Sequence, residues 1–215
     1  MNESALRDEI CRVGRSLFER GYVHATAGNL SVRLDDGGFL ITPTDACLGR
    51  LDPARLAHVD AGGMQTAGDR ASKTLALHRR IYAAAAAARC VIHTHSTHLV
   101  ALTLQGVWSD ADILPPITPY YVMKVGHVPL VPYHRPGDPA VAELVAARIA
   151  ERPSIRAVML DRLGPNVWHA SPAEASAVLE ELEETARLWL LCDPKPAPLD
   201  EAQIDALRRQ FGAAW

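Results

Sequence analysis

The sequence lacks long apolar runs and a leader-like N-terminal segment. No stretch approaches the roughly 18 consecutive apolar residues that a membrane-spanning helix needs. The first ten residues, MNESALRDEI, do not combine a basic segment with an apolar run, as a secretory signal does. We therefore expect a cytoplasmic protein that does not associate with a membrane.

An excess of positive charge and closely spaced cysteines are also missing. Lys and Arg number 22 against 25 Asp and Glu, a formal net charge of −3 that argues against a nucleic-acid partner. The four cysteines are widely separated and form no CxxC motif, so they predict neither a disulfide framework nor a zinc knuckle. This composition favours a small molecule as the partner.

What is present is an ordinary globular composition. With 215 residues, 48% of them hydrophobic and 22% charged, the chain can bury one core. We expect a single domain over residues 1–215, with its core at about 5–192 and a tail and last helix at 193–215. Apolar spacing predicts helices at 4–21, 71–88, 138–152, 171–191 and 200–211, a further helix after Ser96, and strands at 30–34, 39–42, 58–60, 90–92, 128–130, 131–133, 156–160 and 164–169. The candidate N-caps are Ser4, Ser72 and Ser171, and the turn DDGG is predicted to join the first two strands as a hairpin.

The segment CVIHTHSTHL contains the pattern with the clearest chemistry. His93 and His95 follow an apolar, strand-forming run, and residues two apart in extended backbone point to the same face. Imidazole is the commonest metal ligand, so the pair predicts a metal site, with hydrogen-bonded structural histidines as the alternative. His98 falls where Ser96 is predicted to begin a helix, and we interpret it as structural or as a partner of the ligands.

Two segments carry features of an anion site. In TAGN, the backbone of a glycine loop at Gly28 and the side chain of Asn29 can form a nest for an anion, although this is also a common turn composition. In ASKT, Ser72 and Lys73 lie at the N-terminus of the helix predicted over 71–88, where free N–H groups and a lysine favour phosphate. A capped surface turn with a solvated lysine is the alternative.

Taken in order, these pieces resemble the class II aldolase and adducin-head family. The matching segments are AGNLSVR, ITPTDACLGRL, ASKTLALH, VIHTHSTHLVAL, VPLVPYHRPGD and LEELEETARL. Within the family, the chain is most similar to the 3-oxo-tetronate 4-phosphate decarboxylases. The resemblance implies an α/β fold, a three-layer sandwich with a central, mainly antiparallel sheet flanked by helices, and a homotetramer with active sites between subunits.

The resemblance also assigns site residues. It places His93 and His95 on two metal ligands, usually of zinc, with Mn²⁺ or Co²⁺ as alternatives. Tyr120 or Tyr121 falls where the family's aldolases have a proton donor, although two adjacent tyrosines near a strand are also typical of simple packing. The phosphate pocket maps onto Gly28, Asn29, Thr44, Asp45, Ser72 and Lys73.

Two positions depart from the family pattern. Thr74 stands where the family has a glutamate that acts as acid and base beside the metal. Leu163 stands where an Ala-Asn-His-Gly motif supplies the third histidine ligand. Two protein ligands are left where a catalytic metal normally has three. His134, His127 and Asp161 are the candidates for a substitute.

The resemblance and its departures lead to two hypotheses. The first is a metal-dependent carbon–carbon lyase of carbohydrate metabolism that decarboxylates 3-oxo-tetronate 4-phosphate, with a sugar-phosphate aldolase or epimerase as its variant. An aldolase needs a base to remove a C–H proton, so the loss of the glutamate at Thr74 harms it more than a decarboxylase. The second hypothesis is a binding protein without catalytic activity, like the adducin heads.

Overall fold

The computed structural model describes residues 2–215, so residue 1 of the expected domain lies outside it. Within this range the chain forms six α-helices and eight strands. The helices are α1 (Glu3–Glu19), α2 (Leu75–Ala84), α3 (Thr97–Gln105), α4 (Ala140–Glu151), α5 (Pro172–Leu191) and α6 (Glu201–Phe211). The strands are β1 (Asn29–Arg33), β2 (Phe39–Ile41), β3 (Ala57–Val59), β4 (Gln65–Ala67), β5 (Cys90–His93), β6 (Leu130–Val131), β7 (Ala157–Leu160) and β8 (Gly164–His169).

All eight strands form one sheet in the order β4-β3-β2-β1-β5-β8-β7-β6. Every neighbouring pair is antiparallel except β6 and β7, which are parallel. The β1 to β2 connection is the predicted hairpin, closed by a hydrogen bond from the Leu34 N–H to the Gly38 carbonyl. The prediction of a central, mainly antiparallel sheet is therefore confirmed.

Helices cover both faces of the sheet. Buried residues of α1, α3 and α5 pack on one face, where Leu30 of β1 and Ile92 of β5 point. Buried residues of α2 and α4 pack on the other face, where Val91 of β5 and Trp168 of β8 point. This alternation along β5 follows from the two-residue period of a strand. The three-layer architecture expected from the resemblance is confirmed.

Local signals placed several helix ends correctly. The Ser171 side chain accepts a hydrogen bond from the Glu174 N–H at the start of α5, with a proline at the first position of the helix. Asp200 caps α6 in the same way through the Gln203 N–H. Among the described residues, no helix is both long and apolar enough to cross a membrane.

Three predicted elements were wrong in their bounds. The N-cap of α1 is Asn2, which accepts from the Ala5 N–H, and not Ser4. The strands predicted over 128–133 are a single short strand, β6. The second helix begins at Leu75 and not at 71, because the Ser72 N–H donates to the Thr42 carbonyl and so keeps this segment beside the end of β2.

Candidate functional site

A cavity of about 490 Å³ opens at one edge of the sheet, where β2, β5, β6 and β7 end and β1 begins. It brings together residues that are far apart in the sequence. All the predicted metal and phosphate residues line it, together with Thr74: Gly28, Asn29, Thr44, Asp45, Ser72, Lys73, Thr74, His93 and His95. The predicted site residues, apart from the two tyrosines, therefore share one cavity.

Two glycines allow the backbone to close around the histidine segment. Gly28 has a φ of +84°, and a Cβ there would lie 2.8 Å from the His93 carbonyl oxygen. Gly164 has a φ of +136° and meets the Thr94 carbonyl so closely that no side chain fits. Only glycine combines this conformation with this approach. Gly28 thus has a packing role beside the phosphate role predicted for it.

His93 is held in the form that a metal ligand requires. Its side chain is 5% exposed, and its Nδ1–H donates to the Pro165 carbonyl at 2.9 Å. Because Nδ1 carries the proton, the lone pair of Nε2 is free to bind a metal ion. Burial, and then the neighbouring His95, lower the pKa of His93 to about 4, so the ring is neutral near pH 7.

His95 stands beside His93 at the same edge. The two ring centroids are 5.1 Å apart. Two imidazoles that share a tetrahedral ion have centroids about 5 Å apart, since Zn–N bonds are about 2.0 Å long. The pKa of His95 is lowered, first by burial and then by the nearby His24. Both rings are therefore neutral and fit two positions of a metal ion.

A third protein ligand is the part that the structure does not supply. Among residues 2–215, no group of three His, Cys, Asp or Glu side chains is close enough to hold an ion. Leu163 forms part of the cavity wall, and His134 and Asp161 line the same cavity. His127 does not, because its ring pairs with Asp112 at 2.8 Å and stacks on Trp215. His134 and Asp161 thus share the cavity, but neither is close enough to the two histidines to form a three-residue metal site with them.

Two hydroxyl groups, those of Ser72 and Thr74, lie at and beside the position where the resemblance predicts a glutamate. Ser72 is buried, and its Oγ lies 2.9 Å from the Oγ1 of Thr74. Thr74 is the residue before α2, and its hydroxyl is not ionised near neutral pH. Lys73, between them, is exposed at the cavity wall. This wall offers hydrogen bonds and one positive charge to an anion, without a carboxylate base from position 74.

The predicted tyrosines lie away from the cavity. Tyr121 is fully buried in the core, where its ring packs at 5.5 Å from that of Trp215. Tyr120 is 60% exposed and is not part of the cavity wall. Their role as proton donors stays a prediction.

His98 is a structural residue here. The carboxylate of buried Glu183 accepts hydrogen bonds from the His98 N–H, the His98 ring and the Leu99 N–H, at 2.8–3.0 Å. Glu183 therefore caps α3, whereas the side chain of Ser96 makes no capping bond. This contact fixes the chain directly after His95.

Sequence reasoning missed two buried polar residues near His93, Asn166 and His78, although it had predicted their neighbour Asn29 as a site residue. Asn29 of β1 and Asn166 of β8 are the residues paired with His93 on either side. Asn166 is 0% exposed, and both its amide atoms, like the Asn29 Oδ1, lack a partner among residues 2–215. His78 of α2 bonds Ser31 at 2.7 Å, and burial lowers its pKa to about 3. The pairing of distant strands was the signal needed to find Asn166.

Known proteins similar to this chain are enzymes. Residues 8–190 match the class II aldolase and adducin N-terminal domain family. A 3-oxo-tetronate 4-phosphate decarboxylase of Cupriavidus necator is 58% identical over 99% of both chains. The solved structure of YgbL from Klebsiella pneumoniae, a putative aldolase/epimerase/decarboxylase, is 44% identical with a TM-score of 0.89, covering 97% of this chain and 100% of its own. An L-fuculose phosphate aldolase of Escherichia coli is more distant, 28% identical over 94% of this chain and 92% of its own.

Proposed function

Since the chain belongs to the class II aldolase and adducin N-terminal domain family, we propose that it is a carbon–carbon lyase that decarboxylates 3-oxo-tetronate 4-phosphate. The observation that carries the proposal is the cavity that places two neutral, adjacent imidazoles next to residues suited to a phosphate. The 58% identical decarboxylase supports this choice of reaction, because the aldolases are more distant. The products are a ketone phosphate and CO2.

The reaction breaks the bond between C1 and C2 of the substrate. C1 leaves as CO2, and the electron pair stays on C2 in conjugation with the 3-oxo group. A proton then adds at C2 and gives the ketone phosphate. When bound, a divalent metal supplies Lewis acidity toward the 3-oxo oxygen. We assign Zn²⁺, with Mn²⁺ or Co²⁺ as alternatives, and His93 and His95 are the residues that would hold it.

In this proposal, the phosphate binds to the residues of the cavity that lie by β1 and β2. Lys73 contributes a full charge, and Ser72 and the Gly28 backbone contribute hydrogen bonds. The hydroxyl of Thr74 cannot act as a strong base. Decarboxylation tolerates this, because cleavage of C1–C2 itself generates the carbanion, whereas aldol condensation must first remove a C–H proton.

The proton donor is proposed to come from the region of Tyr120 and Tyr121. Tyr120, the exposed member of the pair, suits a role in the cavity of a neighbouring subunit. We therefore propose the homotetramer of the family as the active form.

A binding protein without catalytic activity is the second candidate. Leu163 and Thr74 replace a metal ligand and an acid–base residue of the family, as such a protein would allow. The neutral, preoriented His93 favours the enzyme, since a scaffold has no need of a free Nε2 lone pair.

The test is the partition between two reactions. Protein purified without a metal-chelating tag, with Zn²⁺, Mn²⁺ or Co²⁺ added, should release CO2 from 3-oxo-tetronate 4-phosphate. Cleavage of fuculose and ribulose phosphates should stay near background. Faster cleavage of an aldol phosphate than release of CO2 would refute the decarboxylase assignment. Absence of both reactions, together with absence of bound metal, would support the binding protein.

Replacing Lys73 with alanine tests the phosphate end. Inorganic phosphate should raise the Tm of the unaltered protein, by about 2–4 °C for each kcal/mol of binding free energy. Lys73→Ala should lose most of this shift, because it removes the full positive charge of this wall. Lys124→Ala, exposed and outside the cavity, is the control. An equal shift in all three proteins would mean that Lys73 points to solvent.

A further inference from the structure

The end of the cavity toward β6 has no assigned role, apart from the candidate ligand His134. It is formed by the turn between β6 and α4, which includes His134, Arg135 and Asp138. In the sheet order, β5 is three strands away from β6, about 14 Å at the usual strand spacing of about 4.8 Å. This turn leads to the start of α4, and Arg135 lines the same cavity as the two histidines, so its long side chain can span part of this distance.

Arg135 is the cation of this end, and its donors are available. Its side chain is 72% exposed, and Asp138 is the one described carboxylate near it, with an Nε to Oδ2 distance of 4.0 Å. The other oxygen of Asp138 accepts from the Ala140 N–H at 3.0 Å, so this carboxylate serves the start of α4. Arg135 therefore keeps its planar set of N–H donors for a ligand, the geometry that binds a carboxylate with two parallel hydrogen bonds.

The wall between the histidines and Arg135 is largely apolar. Leu160, Leu163 and Val131 line it. Asp161 is the acidic residue of this wall, and it lies 4.0 Å from the Nε of Arg162. A ligand that binds Arg135 at one end and extends toward His93 would therefore contact leucine and valine side chains.

The order of these groups along the sheet edge matches the order of groups in the proposed substrate. Phosphate residues lie by β1 and β2, the histidines follow β5, and Arg135 follows β6. In 3-oxo-tetronate 4-phosphate, the phosphate is on C4, the oxo group on C3 and the carboxylate is C1. We propose that Arg135 binds the C1 carboxylate, the group that leaves as CO2. This inference rests on the proposed decarboxylase function.

The chemistry of the leaving group predicts which kinetic constant Arg135 affects. The carboxylate loses its charge as it becomes CO2, so the attraction to Arg135 weakens toward the transition state. An interaction that is stronger in the ground state than in the transition state lowers KM and does not raise kcat, so its removal should raise KM without lowering kcat. The apolar wall suits the uncharged product. Arg135 is thus a residue for substrate affinity and for choosing acids over uncharged sugar phosphates.

The first experiment compares two arginine variants with matched surroundings. Arg135→Gln should raise KM for the 3-oxo acid about tenfold and leave kcat equal or higher. Arg162→Gln is the control: it is also exposed, its Nε also lies 4.0 Å from a carboxylate, and it does not line the cavity. Arg135→Lys should recover part of the affinity. A fall in kcat with unchanged KM in Arg135→Gln would overturn the assignment.

A binding experiment separates this inference from the proposed reaction. The ligands are a 4-phosphorylated tetronate with a 3-hydroxyl, which cannot lose CO2, and dihydroxyacetone phosphate, which has no carboxylate. The unaltered protein should bind the acid more tightly, and Arg135→Gln should lose this preference while binding dihydroxyacetone phosphate as before. An unchanged preference in Arg135→Gln refutes the role of Arg135, even if CO2 is released. A lost preference without CO2 release from any substrate supports Arg135 and refutes the decarboxylase.

Discussion

Replacing His93 with alanine is expected to remove both the bound metal and the release of CO2. One histidine would remain in a cavity where, among residues 2–215, no third ligand stands beside the pair. Lewis-acid stabilisation is worth several kcal/mol, and about 1.4 kcal/mol corresponds to tenfold in rate, so activity should fall by about 10³-fold or more. Elemental analysis and CO2 release from the same sample measure the two effects.

The control for this variant is another histidine of the sheet. His58 lies on β3 and bonds to Thr66, away from the cavity. His58→Ala should keep the metal content and the turnover of the unaltered protein. Bound metal at the same stoichiometry in His93→Ala would contradict the assignment of His93 as a ligand. Loss of activity with the metal retained would give His93 a different role.

Features that depend only on residues close together in the sequence were predictable. The same-face rule for a strand predicted that His93 and His95 stand side by side, and their rings are 5.1 Å apart. The hairpin turn and the cap at Ser171 depend on neighbouring residues only, and both are present. Such features need no knowledge of which strands meet.

Features set by distant contacts were not predictable. Ser72 has the residue type of a helix cap, but the pairing of Ala71 with Pro43 holds it in an extended segment. Tyr120 and Tyr121 are adjacent in sequence, yet one is exposed and the other fully buried. From the sequence alone, Asn166 is only one residue of a predicted strand. Its place next to His93 depends on the pairing of β8 with β5.

Several buried polar atoms around His93 have no hydrogen-bond partner among the described residues, which is unusual in a protein core. A buried polar atom without a hydrogen bond costs about 1–3 kcal/mol, and proteins usually keep few of them. Asn29 and Asn166 pair with His93, and together with His78 they contribute four such atoms near this residue. Buried polar groups of this kind are typical of functional sites, where they lower the local stability of the fold.

Returning a histidine to position 163 is expected to strengthen metal binding. Leu163 lines the cavity with His93 and His95. It is also the position at which the resemblance predicts a third histidine ligand. A third imidazole would complete the three protein ligands of a catalytic metal, so Leu163→His should raise the affinity for Zn²⁺ by at least about tenfold. Competition with a chromogenic chelator measures this affinity without any assay of activity.

Leu163→Gln separates ligation from the loss of an apolar side chain. Leu163 packs against the core under α2 and α4, so both variants lose some of this packing. The glutamine variant should show the lower stability without the gain in affinity. If Leu163→His binds Zn²⁺ no more tightly than the unaltered protein, position 163 does not face the ion. That result would leave His93 and His95 as the protein ligands of the ion, because no third His, Cys, Asp or Glu of residues 2–215 is close enough to join them.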